Sequence, residues 1–166
     1  MSNPKIRMTI RGLGAMEAEL YPDKAPKTVA NFLKLIENRF FDGLIFHRVI
    51  AGFMIQGGGF DERMKQKNTD SIPGEFASNG FKGNDIRHTR GVLSMARTSD
   101  PDSASSQFFV MHADAPYLDR QYAAFGKLTA GFDVLDGIAT TDTHSVGWYD
   151  DVPVKPVVIE TIEVIG

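Results

Sequence analysis

The sequence predicts a mainly β fold in which one sheet closes on itself. At least six short apolar segments are punctuated by Gly, Asn and Asp, whereas only two segments have a helical period. A sheet of many short strands removes its exposed edges by closing, so a barrel is the expected architecture. No repeat, low-complexity tract or linker divides the 166 residues, which indicates a single domain over residues 1–166.

The N-terminal segment predicts a β-hairpin. Ile6, Met8 and Ile10 alternate with polar residues, and a second alternation follows at 16–20, after turn residues at 12–14. A period of two is typical of half-buried strands. The outward residues are basic on the first strand and acidic on the second, so the two strands can form ion pairs across the hairpin.

A first helix is predicted to begin at Pro26, and a second to span 132–139. The first contains an apolar stripe at i, i+3, i+4 and i+7, formed by Val29, Phe32, Leu33 and Ile36. The other strand candidates are 45–50, 53–56, 92–96, 107–111, 123–128 and 157–164. The polar, glycine-rich stretch 58–90 is predicted to be a surface loop, and long loops often carry function.

Composition narrows the class of protein. The net charge of −3 gives no attraction to nucleic acid or to anionic membranes. The absence of cysteine excludes disulfides, a thiol nucleophile and cysteine-ligated metals. Lys5, Arg7 and Arg11 interrupt the first residues, so no signal peptide is expected, and no apolar stretch has transmembrane length. With Met1 as the start, we expect a cytoplasmic location. Nothing in the sequence suggests more than a monomer.

The motifs of metal and nucleotide chemistry are missing. The four histidines, at 47, 88, 112 and 144, lack the spacing of metal ligands. A calcium loop beginning at Asp100 fails at Ala104 and Ser105. The glycines at 57–59 lack the remainder of a dinucleotide or phosphate loop, and no G-x-S-x-G elbow is present. We therefore expect neither a metal nor a cofactor.

Three segments carry the functional information. They are FHRVIAGFMIQGG at 46–58, LSMAR at 93–97 and SQFFV at 106–110. Together with APKTV at 25–29 and AFGKL at 124–128, they resemble the signature blocks of the cyclophilins, which are peptidyl-prolyl cis-trans isomerases. The resemblance covers nearly the whole chain, and chance does not explain blocks of this length.

The resemblance implies a closed eight-stranded antiparallel β-barrel capped by two α-helices. Its interior is a packed core, and its substrate groove lies on the outside. The implied activity is acceleration of rotation about X–Pro bonds in proline-containing peptides and unfolded client proteins. The family needs no metal or cofactor for this reaction.

The resemblance also assigns site residues. The arginine that faces the rotating bond is Arg48, and Gln56 lies behind it as the second catalytic residue. The implied substrate-binding residues are Phe53, Met54, Ala96, Arg97, Gln107, Phe109, Tyr117, Leu118 and Tyr122. Independently, the spacing of two between Gln107 and Phe109 places both on one strand face, with Phe108 toward the core.

Two site residues depart from the common family pattern. Tyr117 stands where many cyclophilins have tryptophan, a position that matters for binding the drug cyclosporin, so tight binding of that cyclic peptide is in doubt. Tyr122 stands where many have histidine, which resembles bacterial members. Neither change removes a residue that isomerisation requires.

Two other functions compete with isomerisation. The protein could be a holdase or proline-peptide reader in which catalysis is incidental. It could also be a barrel that carries a small ligand, but this requires a hollow interior. The abundance of Phe, Met and Ile predicts a filled one.

Overall fold

The computed structural model describes residues 3–166 as ten β-strands, two α-helices and two short 3₁₀ turns. The strands are β1 (Lys5–Ile10), β2 (Gly14–Leu20), β3 (Arg48–Ile50), β4 (Met54–Gly57), β5 (Val92–Met95), β6 (Phe108–Met111), β7 (Ala124–Ala130), β8 (Thr143–Val146), β9 (Tyr149–Pro153) and β10 (Ile159–Val164). The helices are α1 (Pro26–Glu37) and α2 (Phe132–Ala139), and the 3₁₀ turns are Ala77–Asn79 and Pro116–Leu118. Both predicted helices are therefore confirmed.

Eight strands form one curled antiparallel sheet in the order β10-β1-β2-β7-β5-β6-β4-β3. Its terminal strands, β3 and β10, are not paired with each other in the part of the chain that the structure describes. The chain just before β3 meets the start of β10 through an isolated bridge between Ile45 and Val158 and through backbone hydrogen bonds, among them one of 3.0 Å from the Phe46 N–H to the Val157 carbonyl and one of 2.8 Å from the Ile159 N–H to the Leu44 carbonyl. The eight-stranded sheet with two helices is confirmed, but the predicted closure is overstated, and the sheet is a half-barrel.

The missing closure has a local cause. A Cβ atom on Gly57 would lie 2.7 Å from the Ile45 carbonyl oxygen, so the chain before β3 crosses directly over the end of β4. Residues 45–47 therefore do not continue the ladder of β3, and the predicted strand 45–50 shortens to Arg48–Ile50.

The inside of the curled sheet is a packed aromatic core. Phe32 of α1 lies at its centre, with its ring centroid 5.0 Å from Phe41, 5.3 Å from Phe108 and 4.9 Å from Phe125. Offset and edge-to-face rings at such distances stabilise a core beyond the area they bury. The filled interior speaks against the ligand-carrier hypothesis.

The long loop completes the first helix. The α1 N-terminus has no side-chain cap of its own. Glu75, which is buried, accepts hydrogen bonds from the Thr28 N–H at 2.7 Å, the Thr28 hydroxyl at 2.7 Å and the Lys27 N–H at 3.2 Å. The two N–H groups are backbone donors that a helix leaves without internal partners, and a carboxylate also complements the positive end of the helix.

One ion pair of the kind predicted across the first hairpin is present. Arg7 lies opposite Glu17 in the β1–β2 register, and its Nε donates to the Glu17 carboxylate at 3.0 Å. Sequence reasoning missed the hairpin formed by β8 and β9, which forms a separate two-stranded sheet and packs beside β3.

We expect Phe32→Ala to lower the free energy of unfolding by about 3–5 kcal/mol, because it removes the ring at the centre of the aromatic core and leaves a cavity. Urea denaturation measures the change. Leu13→Ala is the control, since Leu13 is half exposed in the β1–β2 turn and should change stability by less than about 0.5 kcal/mol. Equal stabilities for the two variants would contradict the assignment of the core.

Candidate active site

The register of four strands aligns the central residues of the site. Arg48 pairs with Gln56 across β3 and β4, Gln56 pairs with Phe109 on β6, and Phe109 pairs with Ser94 on β5. Directly opposed residues of antiparallel strands lie on the same face. These four residues therefore form one row across the outer face of the sheet.

The residues that alternate with this row point inward. Val49, Ile55, Val110 and Leu93 belong to the interior core. On the outer face a second, separate apolar cluster is formed by Met54, Val92, Phe109, Met111, Ala115, Leu118 and Ala124. Phe53 and Tyr122 pack against it and are only partly buried. An apolar cluster on the outside of a sheet indicates a binding surface.

Members of the outer row and of the outer cluster, together with residues of the adjoining loops, line a groove of about 430 Å³. It brings together ten of the eleven residues that the sequence predicts for the site: Arg48, Phe53, Met54, Gln56, Ala96, Arg97, Gln107, Phe109, Leu118 and Tyr122. Tyr117 is not part of the lining. Its ring, 70% exposed, lies at the rim with its centroid 6.1 Å from that of Phe53.

A chain of polar side chains crosses the groove. Arg48 Nη1 donates to Gln56 Oε1 at 3.4 Å, and Gln56 Nε2 donates to Gln107 Oε1 at 3.0 Å. Among residues 3–166, no carboxylate lies within ion-pair distance of Arg48. The exposed guanidinium thus has N–H groups available for a ligand, since it carries five.

Three consecutive glycines make room for this arrangement. A Cβ atom on Gly59 would lie 2.5 Å from the Gln107 side chain, and one on Gly58 would lie 2.9 Å from the Ser106 carbonyl oxygen. Gly58 also has a φ of +89°, which favours glycine. The glycines at 57–59 therefore serve close packing, in agreement with the absence of a phosphate-loop motif.

The turn that carries Phe53 is held from behind by His112. Its Nδ1 accepts from the Gly52 N–H at 2.8 Å, and its Nε2 lies 3.0 Å from the Asp136 carboxylate. The His112 backbone N–H also donates to the Phe53 carbonyl at 2.9 Å. Because Nδ1 accepts a hydrogen bond, the ring N–H lies on Nε2 and faces the Asp136 carboxylate. Arg90 in turn holds the Asp136 carboxylate through two hydrogen bonds and lowers the pKa of that carboxyl.

The opposite wall of the groove is fastened by Arg97. Its guanidinium lies 4.8 Å from the Tyr122 ring centroid and donates twice to the Gln121 carbonyl, at 3.1 and 2.7 Å. The Ala96 N–H donates to the Gln107 carbonyl at 3.0 Å. The guanidinium of Arg97 therefore holds Gln121 and Tyr122 in place at this side of the groove.

His88 supports the floor of the groove. Its ring is fully buried and stacked with Phe109 at a centroid distance of 6.0 Å. Its two nitrogens lie 3.1 Å from the Asp119 carboxylate and 2.8 Å from the Ser94 hydroxyl. Burial lowers the pKa of His88, although Asp119 opposes the shift. The neutral ring is thus a fixed platform beneath Phe109.

Four lining residues were not predicted from the sequence: His47, Phe60, Gln66 and Tyr149. His47 directly precedes Arg48 in the sequence, where it was considered only as a metal ligand, for which its spacing is unsuitable. Tyr149 comes from the unpredicted hairpin. A signal for that hairpin was present, because Gly147 separates Val146 from Trp148 and Tyr149, all of which favour strands.

His47 is the most perturbed histidine among the described residues. It is 5% exposed, and its buried Nδ1 has no hydrogen-bond partner in the part of the chain that the structure describes. Burial, together with the positive charge of Arg48, lowers the pKa of His47 from 6.5 to about 4. Its imidazole is therefore neutral at physiological pH.

Two further findings bear on cofactors and membranes. Among residues 3–166, no three His, Cys, Asp or Glu side chains are grouped so that they could hold a metal ion. Within the same range, neither helix is long and apolar enough to cross a membrane.

Comparison with known proteins identifies the family. Residues 5–164 match the family described as cyclophilin type peptidyl-prolyl cis-trans isomerase/CLD. The chain is 46% identical to a peptidyl-prolyl cis-trans isomerase of Acinetobacter baylyi, over 99% of this chain and 87% of that protein. It is 42% identical to peptidyl-prolyl cis-trans isomerase B of Escherichia coli, over 91% of this chain and 94% of that protein. The chain belongs to the cyclophilin-type peptidyl-prolyl cis-trans isomerase family.

Solved structures agree with this assignment. A cyclophilin-type isomerase of Cryptosporidium parvum superposes with a TM-score of 0.81 at 26% identity, covering 99% of this chain and 98% of the other. A second structure of that protein, obtained in the presence of the dipeptide Ala-Pro, has a TM-score of 0.80 at 27% identity, covering 98% and 99%.

The low pKa of His47 predicts a pH-dependent stability. Below pH 6.5 the unfolded chain binds a proton at residue 47, whereas the folded chain does so only near pH 4. Titration of His47 therefore leaves the free energy of unfolding unchanged above pH 6.5 and lowers it by about 3 kcal/mol as the pH falls from 6.5 to 4, where the unfolded chain binds the proton more readily than the folded chain.

Urea denaturation of wild type and His47→Gln between pH 4 and 7 measures this loss. The difference between the two proteins removes the contribution of other titrating groups. We expect the wild type to lose more stability than the variant on acidification. Parallel stability curves would show that His47 does not stay neutral in the folded chain.

Proposed function

We propose that this protein accelerates cis/trans rotation about X–Pro bonds in peptides and unfolded proteins, with Arg48 as the catalytic donor. The observation that carries the proposal is the position of an exposed guanidinium, without an acidic partner among the described residues, beside an apolar pocket. The family of the chain and the identity of its relatives support the reaction.

The reaction breaks no covalent bond. Amide resonance sets a rotation barrier of about 18–20 kcal/mol, so uncatalysed X–Pro exchange takes roughly tens to hundreds of seconds. Midway through the rotation the proline nitrogen becomes pyramidal and regains its lone pair. A donor to that lone pair binds the twisted state more strongly than the planar one, which is the condition for rate enhancement.

Arg48 suits this role because its guanidinium stays charged and offers several N–H groups. Gln56 accepts one of them at 3.4 Å, which orients the side chain across the groove. A hydrogen bond from a charged donor contributes roughly 1.5–3 kcal/mol, which corresponds to about 10- to 100-fold in rate. Larger acceleration requires contributions from the rest of the groove.

The apolar end of the groove supplies one further contribution to the rate. Phe53, Met54, Phe109, Leu118 and Tyr122 surround a space suited to a proline ring. Holding the ring while the acyl side rotates fixes the axis of rotation. The buried surface also keeps water from the bond, which favours the twisted state because that state lacks the charge separation of the planar amide.

The polar side of the groove supplies a second contribution to the rate. Gln107 and the backbone of Ala96 and Arg97 border the groove opposite Arg48 and are placed to bond the acyl side. Gln107 is held by Gln56 and by its packing on Gly59. The arrangement gives the moving carbonyl a fixed set of polar partners.

The biological role follows from the breadth of this recognition. A groove that binds proline and its neighbours accepts many unfolded chains, so we propose that the protein assists folding. A holdase role that outlasts loss of Arg48 is the alternative. A single isomerase domain, a cytoplasmic location and a monomeric state stay predictions of the sequence.

We expect Arg48→Ala to lower kcat/KM for a proline peptide by at least about 10- to 100-fold while the fold is kept, because the donor to the proline nitrogen is lost. Exchange spectroscopy with catalytic amounts of protein measures the rate, and circular dichroism checks the fold.

Arg39→Ala is the matched control. The Arg39 side chain is 80% exposed after the end of α1 and is not part of the groove. It should retain wild-type activity. Wild-type activity in Arg48→Ala would disprove the mechanism, and chaperone activity that persists in the inactive variant would support the holdase alternative.

Tyr117 is expected to make cyclosporin binding weaker than in family members that have tryptophan at this position. Replacing it by tryptophan adds an N–H donor and a larger ring at the rim beside Phe53, which should tighten binding by up to about tenfold. Calorimetric titration of wild type and Tyr117→Trp with cyclosporin measures the change. Leu13→Trp, which adds the same ring at a half-exposed position in the β1–β2 turn, should leave the affinity at the wild-type value. Equal affinities in all three proteins would contradict the role of residue 117.

A further inference from the structure

The groove continues past Arg48 onto a group of rings that the isomerase mechanism does not use. We call His47, Phe60 and Tyr149 the aromatic shelf. The centroid distances are 4.5 Å for His47 and Phe60, 5.1 Å for Phe60 and Tyr149, and 6.5 Å for His47 and Tyr149. All three residues line the same groove as Arg48.

The shelf is packed from below and open on one side. His47 and Phe60 are 5% and 4% exposed, whereas Tyr149 is 39% exposed. Tyr149 reaches the shelf from β9, which packs beside β3. Gln66 borders the shelf as a polar neighbour. The hairpin of β8 and β9 therefore adds a side wall to a groove that the main sheet alone would leave open.

His47 gives the shelf an unusual chemical character. Its Nδ1 is buried and has no hydrogen-bond partner among residues 3–166, and an unpaired buried polar atom destabilises a folded chain. Unpaired buried polar groups are rare and call for an explanation, of which a functional role is one. The ring is neutral although it adjoins Arg48, so the shelf presents aromatic faces and no charge of its own.

We propose that the aromatic shelf is a second subsite that binds an aromatic side chain flanking the proline in the same peptide. The inference rests on the proposed function, because it assumes that the groove holds a proline peptide. Tyr149 is the exposed ring of the shelf, and the nearly buried rings of His47 and Phe60 support it at tilted and edge-to-face angles that are suited to a further ring. The continuous groove lets one peptide reach both Arg48 and the shelf.

The test uses four peptides that differ at one position. One has alanine throughout around a single proline, and the others carry phenylalanine immediately before it, immediately after it or two residues after it. One phenylalanine peptide should bind the wild type about three- to tenfold more tightly than the alanine peptide, in proportion to the energy of one aromatic contact. Calorimetry gives Kd, and exchange spectroscopy gives kcat/KM.

Substitutions test whether the preference for a phenylalanine peptide depends on the Tyr149 ring. In Tyr149→Ala the ratio of affinities for the phenylalanine and alanine peptides should fall to about one. Tyr149→Phe keeps the ring and should keep the ratio. Leu13→Ala, an exposed position in the β1–β2 turn, should keep both the ratio and the wild-type activity. Nuclear Overhauser contacts between the peptide phenylalanine and the Tyr149 ring in the wild type test the same contact without any substitution.

Each result separates the subsite from the proposed function. A wild type that isomerises the alanine peptide but prefers no phenylalanine peptide overturns the subsite and leaves the function intact. A preference that is unchanged in Tyr149→Ala also overturns it. If no peptide is isomerised, the proposed function fails, and the affinity ratios and ring contacts still decide whether the shelf binds an aromatic side chain.

Discussion

The site depends on one constraint, which is the register of β3, β4, β6 and β5. That register puts Arg48, Gln56, Phe109 and Ser94 in a row. Because side chains alternate along a strand, a slip of one residue would turn Arg48 inward and expose Val49. Burial of the inward-facing residues in the aromatic core opposes such a slip. The core packing that stabilises the fold therefore also keeps the Arg48 guanidinium on the outer face of the sheet.

The curled sheet is unusual in that both of its faces carry apolar clusters. The inner cluster is covered by α1 and α2, while the outer one is only partly covered, by the 3₁₀ turn at Pro116–Leu118 and by Tyr122. What remains open on the outer face is the groove. Its walls are held by side chains that bond or pack against the neighbouring chain, namely His112 at the Phe53 turn and Arg97 at Tyr122. Rigid support of this kind lets a binding site be formed before the ligand arrives.

Local patterns predicted the helices, the first hairpin and the alternation of Gln107, Phe108 and Phe109, because each depends on neighbours within a few residues. The arrangement of Arg48 and the pocket residues came from family resemblance, since it requires strands far apart in sequence to meet. The open end of the sheet was missed because it depends on the crossing of residues 45–46 over Gly57. The contribution of Tyr149 was missed because its hairpin is short and polar, with an aspartate pair within β9. The partnerless nitrogen of His47 is a property of packing, which no local pattern shows.

The carboxylate of Glu75 at the start of α1 has a consequence for how the protein opens. The helix and its cap are separated by 47 residues, so the first turn of α1 is complete only when the intervening chain is folded back. Closing so long a segment has an unfavourable entropy, and only the contacts of the fully folded structure offset it. Local fraying of α1 and release of the loop should therefore occur as one cooperative unit, and amide hydrogens of Lys27 and Thr28 should exchange with solvent together with those around Glu75.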